Sequence, residues 1–177
     1  MTLTKSLTRL ALATAGLLLI PLVAMQFTKE VVWTQSDFVI AGVLLFGAGL
    51  TYVLVSRLGT NGAYRLGAGV AVAAGLLLVW GNLAVGFIGS ENNPANLLYG
   101  AVLAGTAVGG AVARFRAAGM ARAMFGAALT QVAVPLVAAA IWRPAVNQGM
   151  VYVLALNTIF AGIWAVSGWL FRRAGRA

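Results

Sequence analysis

Polar residues interrupt this chain at nearly regular intervals, and six long apolar runs lie between the interruptions. They cover 8–27, 37–56, 66–87, 96–113, 123–142 and 150–171. A helix needs about 20 mostly apolar residues to cross the hydrocarbon core of a bilayer, and each run has roughly that length. The connections between them are short, which forces neighbouring helices to be antiparallel and leaves no room for an extramembrane domain. The expected fold class is therefore all-α. It is a polytopic membrane protein with six transmembrane helices in an antiparallel bundle, and 1–177 form a single integral membrane domain. The first run follows Lys5 and Arg9, as a signal peptide would. Its candidate cleavage region, Pro21-Leu22-Val23-Ala24-Met25-Gln26, lacks the small-x-small pattern of a processed site, so a retained helix is expected.

Charge adds an orientation. The chain has 12 Lys and Arg against 3 Asp and Glu, a net charge of +9. Lys5, Arg9, Arg57, Arg65, Arg114, Arg116, Arg122, Arg172, Arg173 and Arg176 fall on one side of the six runs. Only Lys29 and Arg143 fall on the other, together with all three acidic residues. Basic loops face the cytoplasm, so both termini are expected there, which requires an even number of spans. Interfacial aromatics agree: Phe27, Trp33, Trp80, Tyr99, Trp142 and Tyr152 sit near the outer ends, and Tyr52, Tyr64, Phe115, Trp169 and Phe171 near the inner ones. The basic charge thus points to anionic lipid headgroups, with Arg114, Arg116, Arg172, Arg173 and Arg176 as the expected contacts, and away from nucleic acid.

Absences narrow the chemistry. The chain has no cysteine and no histidine, and its only carboxylates are Glu30, Asp37 and Glu91. Thiolate or imidazole metal sites, cysteine nucleophiles and the commonest general base are excluded. Neither Lys5 nor Lys29 lies in a span, so a buried retinal-type Schiff base is excluded too. No catalytic residue, metal or cofactor is expected, and the chain does not read as an enzyme.

Polar groups inside spans are costly unless paired, so they carry the functional information. Three amides stand out, Asn82, Gln131 and Asn157. At about 1.5 Å per residue they lie roughly 8, 17 and 10 Å from the outer ends of their helices. Pro135 follows Gln131 by four residues and should free the Gln131 carbonyl from its helical bond; Thr130 and Thr158 add hydroxyls nearby. The leading reading is a small transporter-like or channel-like protein whose polar path is lined by Asn82, Gln131 and Asn157, with Glu91 at the mouth. The alternative is a non-transporting membrane subunit or scaffold, a homo-oligomer or the partner of another membrane protein, packing through glycine-rich helices. On that reading the amides hydrogen-bond between helices.

Other motifs have local explanations. Asn93-Pro94-Ala95 matches the aquaporin pore tripeptide, but that family needs two copies on half-helices and this chain has one; Asn93 as an N-cap with Pro94 at the first helical position accounts for it. Thr34-x-x-Asp37 reads as a capping box, with an outer-face cluster of Lys29, Glu30, Asp37, Glu91 and Arg143 as the functional alternative. Gly105 and Gly109 form a GxxxG suited to close helix contact. The turns Arg57-x7-Arg65 and Arg114-x7-Arg122 hint at a duplicated hairpin.

The stretch Ala24-Met25-Gln26-Phe27-Thr28-Lys29-Glu30-Val31-Val32-Trp33, then Asp37-Phe38 and Ala41-Gly42-Val43-Leu44-Leu45-Phe46-Gly47, resembles a family of small uncharacterised bacterial multi-pass inner-membrane proteins. Trp80-Gly81-Asn82-Leu83-Ala84-Val85-Gly86 through Gly89 extends the likeness over about the first half of the chain. Lys29 departs from the acidic residue expected at that position. The resemblance implies a bacterial inner-membrane location and no catalytic residue.

Overall fold

The computed structural model describes residues 2–59, 61–142 and 148–176. Arg143, assigned above to the outer face, lies outside them. The described residues are helical, with no strand among them, and six helices are long and apolar enough to cross a membrane. They are α1 (Leu3–Phe27), α2 (Gln35–Ser56), α3 (Gly62–Ala84), α4 (Tyr99–Val112), α5 (Ala117–Trp142) and α6 (Gln148–Ala174). A 3₁₀ turn, Pro94–Leu98, leads directly into the 14 residues of α4, and the two together, Pro94–Val112, make the fourth span.

Most helices outrun the apolar segments that announce them, because a helix continues through polar turns beyond the hydrocarbon. Thr4, Lys5 and Ser6 open α1, Arg65 lies in the first turn of α3, and Arg172 and Arg173 lie in the last turn of α6. The fourth and third runs are exceptions: α4 itself covers only Tyr99–Val112 of 96–113, and α3 ends at Ala84 rather than at 87. The backbone N–H groups of Val85 and Gly86 both donate to the Gly81 carbonyl, and Gly86 turns left-handed at φ +69°. That geometry ends a helix and suits glycine.

Both capping expectations hold. The Thr34 N–H donates to Asp37 Oδ2 at 2.7 Å and the Asp37 N–H to Thr34 Oγ1 at 3.4 Å, the reciprocal pattern of a capping box at the start of α2. Asn93 Oδ1 accepts from the Ala95 N–H at 2.9 Å with Pro94 in the first position, although it caps the 3₁₀ turn and not α4 itself.

The chain divides into two compact units, Met1–Leu54 and Val55–Ala177. In the first, Leu10 and Leu18 of α1 lie against Gly49 and Gly42 of α2. Thr14 is the buried residue of α1 and Ala41 that of α2. Two helices this sparsely packed leave most of their apolar side chains to face something other than each other.

The second unit holds the core. There α6 packs on α3 and α5, and α5 packs on α4. Each of the two central helices buries one stripe at alternating spacings of four and three: Met120, Met124, Ala127, Gln131, Val134 and Ala138 on α5, and Asn157, Phe160, Trp164, Ser167 and Phe171 on α6. This is the period that keeps one helix face against its neighbours. Where the N-terminal end of α3 meets the C-terminal end of α6, Asn61 ties both: its Oδ1 accepts from the Tyr64 N–H and its Nδ2 donates to the Ala174 carbonyl at 2.9 Å. Ser167 Oγ donates to the Gly67 carbonyl at 2.8 Å and the Tyr64 ring meets Phe171 edge-on. Between α4 and α5, Gly109 comes so close to Ala123 that a Cβ on it would lie 2.8 Å from the Ala123 Cβ.

Candidate functional site

Two of the three intramembrane amides meet in the centre of the second unit. Gln131 on α5 and Asn157 on α6 are 0% and 1% exposed, and Gln131 Nε2 donates to Asn157 Oδ1 at 2.9 Å. The cluster extends both ways. Asn157 Nδ2 donates to the hydroxyl of Tyr99 on α4 at 2.8 Å and to the Val153 carbonyl one turn back at 2.8 Å. Trp164 Nε1 approaches Gln131 Oε1 at 3.4 Å, the long end of a hydrogen bond. Three helices are thus joined by one chain of polar contacts in which both protons of the Asn157 amide are used.

The remaining expected path residues lie elsewhere. Asn82 is half-buried and donates to the Leu78 carbonyl of its own helix at 2.7 Å, while its Oδ1 is buried without a partner among the described residues. Glu91 is exposed in the segment after α3 and accepts from Asn92 Nδ2. The Thr130 and Thr158 hydroxyls turn back onto Gly126 and Leu154 of their own helices on exposed faces. Asp37 is held in its capping box. Pro135 does sit within α5, and having no N–H it cannot bond the Gln131 carbonyl.

A cavity of about 590 Å³ opens beside the cluster. Its walls include Phe87, Pro135, Trp142, Tyr152, Val153 and Leu156, and among the described residues no carboxylate, lysine or arginine lines it. Pro135 and Val153 stand four residues from Gln131 and Asn157, and Leu156 adjoins Asn157, but neither amide is itself part of the wall. Glu91 is not part of its wall, although Gly89 and Asn93 are.

The segment that forms one side of this cavity is built by Asn96. Its Oδ1 accepts from the N–H groups of Phe87 and Ile88 at 3.1 and 2.9 Å, and its Nδ2 donates to the carbonyls of Ile88 and Ser90. Every hydrogen-bonding position on that amide is filled. Phe87 then packs edge-on to Tyr99 and tilted against Phe160, which closes the core beneath the segment.

The sequence alone misses Tyr99, Trp164 and Asn96. Tyr99 reads as an interfacial anchor but is 2% exposed, and Asn96 reads as the polar start of a span. A signal for two of the partners was present in the seven-residue repeat Asn157, Trp164, Phe171, which places all three on one face of α6. At the other end of this unit, Trp169, Arg172, Arg173 and Arg176 surround a cleft of about 460 Å³. Arg114 adopts φ +48° in the turn after α4, and Arg116 is exposed just before α5. No protein-family model matches the chain, and no curated protein or solved structure is similar to it.

Proposed function

We infer that this chain is a bacterial inner-membrane protein with six antiparallel spans and cytoplasmic termini, and that it serves as a non-transporting membrane subunit. The observation that carries this reading is the closed polar chain Trp164–Gln131–Asn157–Tyr99. A solute path needs polar groups that face a wet cavity, whereas these amides are spent on one another and on the two aromatic partners. The ten-to-two division of basic residues supports the orientation. Gly100 and Gly105 on α4, Gly126 on α5 and Gly162 on α6 have open space where a side chain would be, which supports packing by a further copy or a partner helix. Nothing in this role calls for catalysis.

The test uses the natural absence of cysteine as a clean background. Single cysteines at 131 and 157 resist water-soluble maleimides in membranes if the cluster is sealed, while one at Tyr152 on the cavity wall reacts. Labelling at 131 and 157 would hand the assignment to the second reading, a transporter for a small uncharged solute. That reading is favoured by the cavity beside the amides. It predicts a solute-specific thermal shift that Gln131→Leu abolishes; saturation at 100 times the Kd stabilises the folded state by about 2.7 kcal/mol.

A further inference from the structure

Trp169, Arg172 and Arg173 stand at positions i, i+3 and i+4 on one face of the last turns of α6, and Arg176 follows in the turn just beyond its end at Ala174. Together they surround a cleft of about 460 Å³. The Arg173 guanidinium lies 5.7 Å from the centroid of the Trp169 ring, a cation–π distance that restrains both side chains. Arg176 reaches the same cleft from the turn after the helix, so three like charges share it.

Their own unit offers no relief. Residues 55–177 contain one side-chain carboxylate, Glu91. It lies beyond the far end of α3, because Asn61 at the start of α3 bonds the Ala174 carbonyl beside the arginines and Glu91 follows the 23 residues of that helix. The α6 C-terminus favours cations through its dipole, but the Ala174 carbonyl is already taken by Asn61. Three guanidiniums therefore converge on one cleft with no acidic side chain of their unit to neutralise them. Guanidinium forks match the oxygens of a phosphate two at a time, and an indole beside them suits the boundary between headgroups and hydrocarbon.

We propose that this cleft is a binding site for the phosphate group of an anionic lipid headgroup. Arg172 and Arg176 grip the phosphate oxygens, and Arg173, held over Trp169, adds the third positive charge. The assignment deepens the membrane placement inferred above but does not depend on whether the amide cluster is sealed.

The experiment is native mass spectrometry of the full chain in detergent, titrated separately with phosphatidylglycerol and phosphatidylcholine, and then with inorganic phosphate as competitor. One phosphatidylglycerol should be retained in preference to phosphatidylcholine. The R172Q/R176Q pair should weaken it roughly tenfold or more. W169F should retain binding and W169L should reduce it, while R122Q should leave it unchanged; circular dichroism checks that each variant is folded. Equal weakening by R122Q would mean diffuse attraction and overturn the site. Displacement of the lipid by millimolar inorganic phosphate would assign the cleft to a soluble anion and overturn the lipid. Cysteine labelling at 131 or 157 leaves this readout untouched, so the two proposals fail separately.

Discussion

Removing the Gln131 side-chain amide tests whether the polar cluster holds α5 to α6. Gln131→Leu keeps about the same volume at a position with no exposed surface, so the loss is polar and not a cavity. It removes the 2.9 Å bond to Asn157 and the 3.4 Å approach of Trp164. The second is long and contributes less, so the loss is one good bond, the stranded acceptor Asn157 Oδ1 and the more weakly held donor Trp164 Nε1. A stranded buried group costs about 1–3 kcal/mol in a water-soluble core, but interhelical bonds in membranes average about 0.6 and reach about 1.7 kcal/mol. The single variant should therefore lose about 1–2 kcal/mol. Asn157→Leu should lose somewhat more, since it also gives up the contact with Tyr99. The double variant should be less destabilised than the sum by about 0.6–1.7 kcal/mol. Reversible unfolding in mixed dodecylmaltoside and SDS micelles measures all three. Single-variant losses that add to within about 0.3 kcal/mol, the behaviour of independent sites, would refute the argument.

Two further outcomes follow from particular contacts. Gly109→Ala puts a Cβ 2.8 Å from that of Ala123 and must push α4 off α5. A loss of about 1–3 kcal/mol is expected, while Gly105→Ala, with open space around it, should be neutral or stabilising by up to about 1 kcal/mol; the same unfolding assay checks the contrast, and equal effects would contradict it. Asn96→Ala removes four hydrogen bonds from the segment beside the cavity. At about 1 kcal/mol net for each bond, protection of the Phe87 and Ile88 amides against hydrogen exchange should collapse while that of α6 survives. Retained protection at both would show that the segment does not depend on Asn96.

Local features were largely legible from the residues in order. The six apolar runs correspond to six helices, and the 34–37 and 93–95 motifs form the caps their side chains suggest. Each feature depends on neighbours a few positions away. A spanning helix satisfies all its backbone groups internally, and a cap is a bond between residues two or three apart. What local sequence left open was of a different kind. Polarity marked Asn82, Gln131, Asn157 and Glu91 equally, yet the structure pairs only Gln131 with Asn157, leaves Asn82 on its own helix and puts Glu91 outside the cavity wall.

What the sequence by itself determined was how many apolar helices there are, roughly where each lies, what caps two of the helical segments and which polar groups need a partner. Tertiary structure alone decided who the partners are. Rotating a helix changes neither its hydropathy nor its internal bonds, but it decides whether Tyr99 lies at an interface or 2.8 Å from Asn157, and whether Asn96 opens a span or anchors the segment before it. Those rotations are set by how side chains from several helices fill one core. Residues 26, 33 and 58 positions apart, such as Gln131, Trp164, Asn157 and Tyr99, meet only once that core has formed.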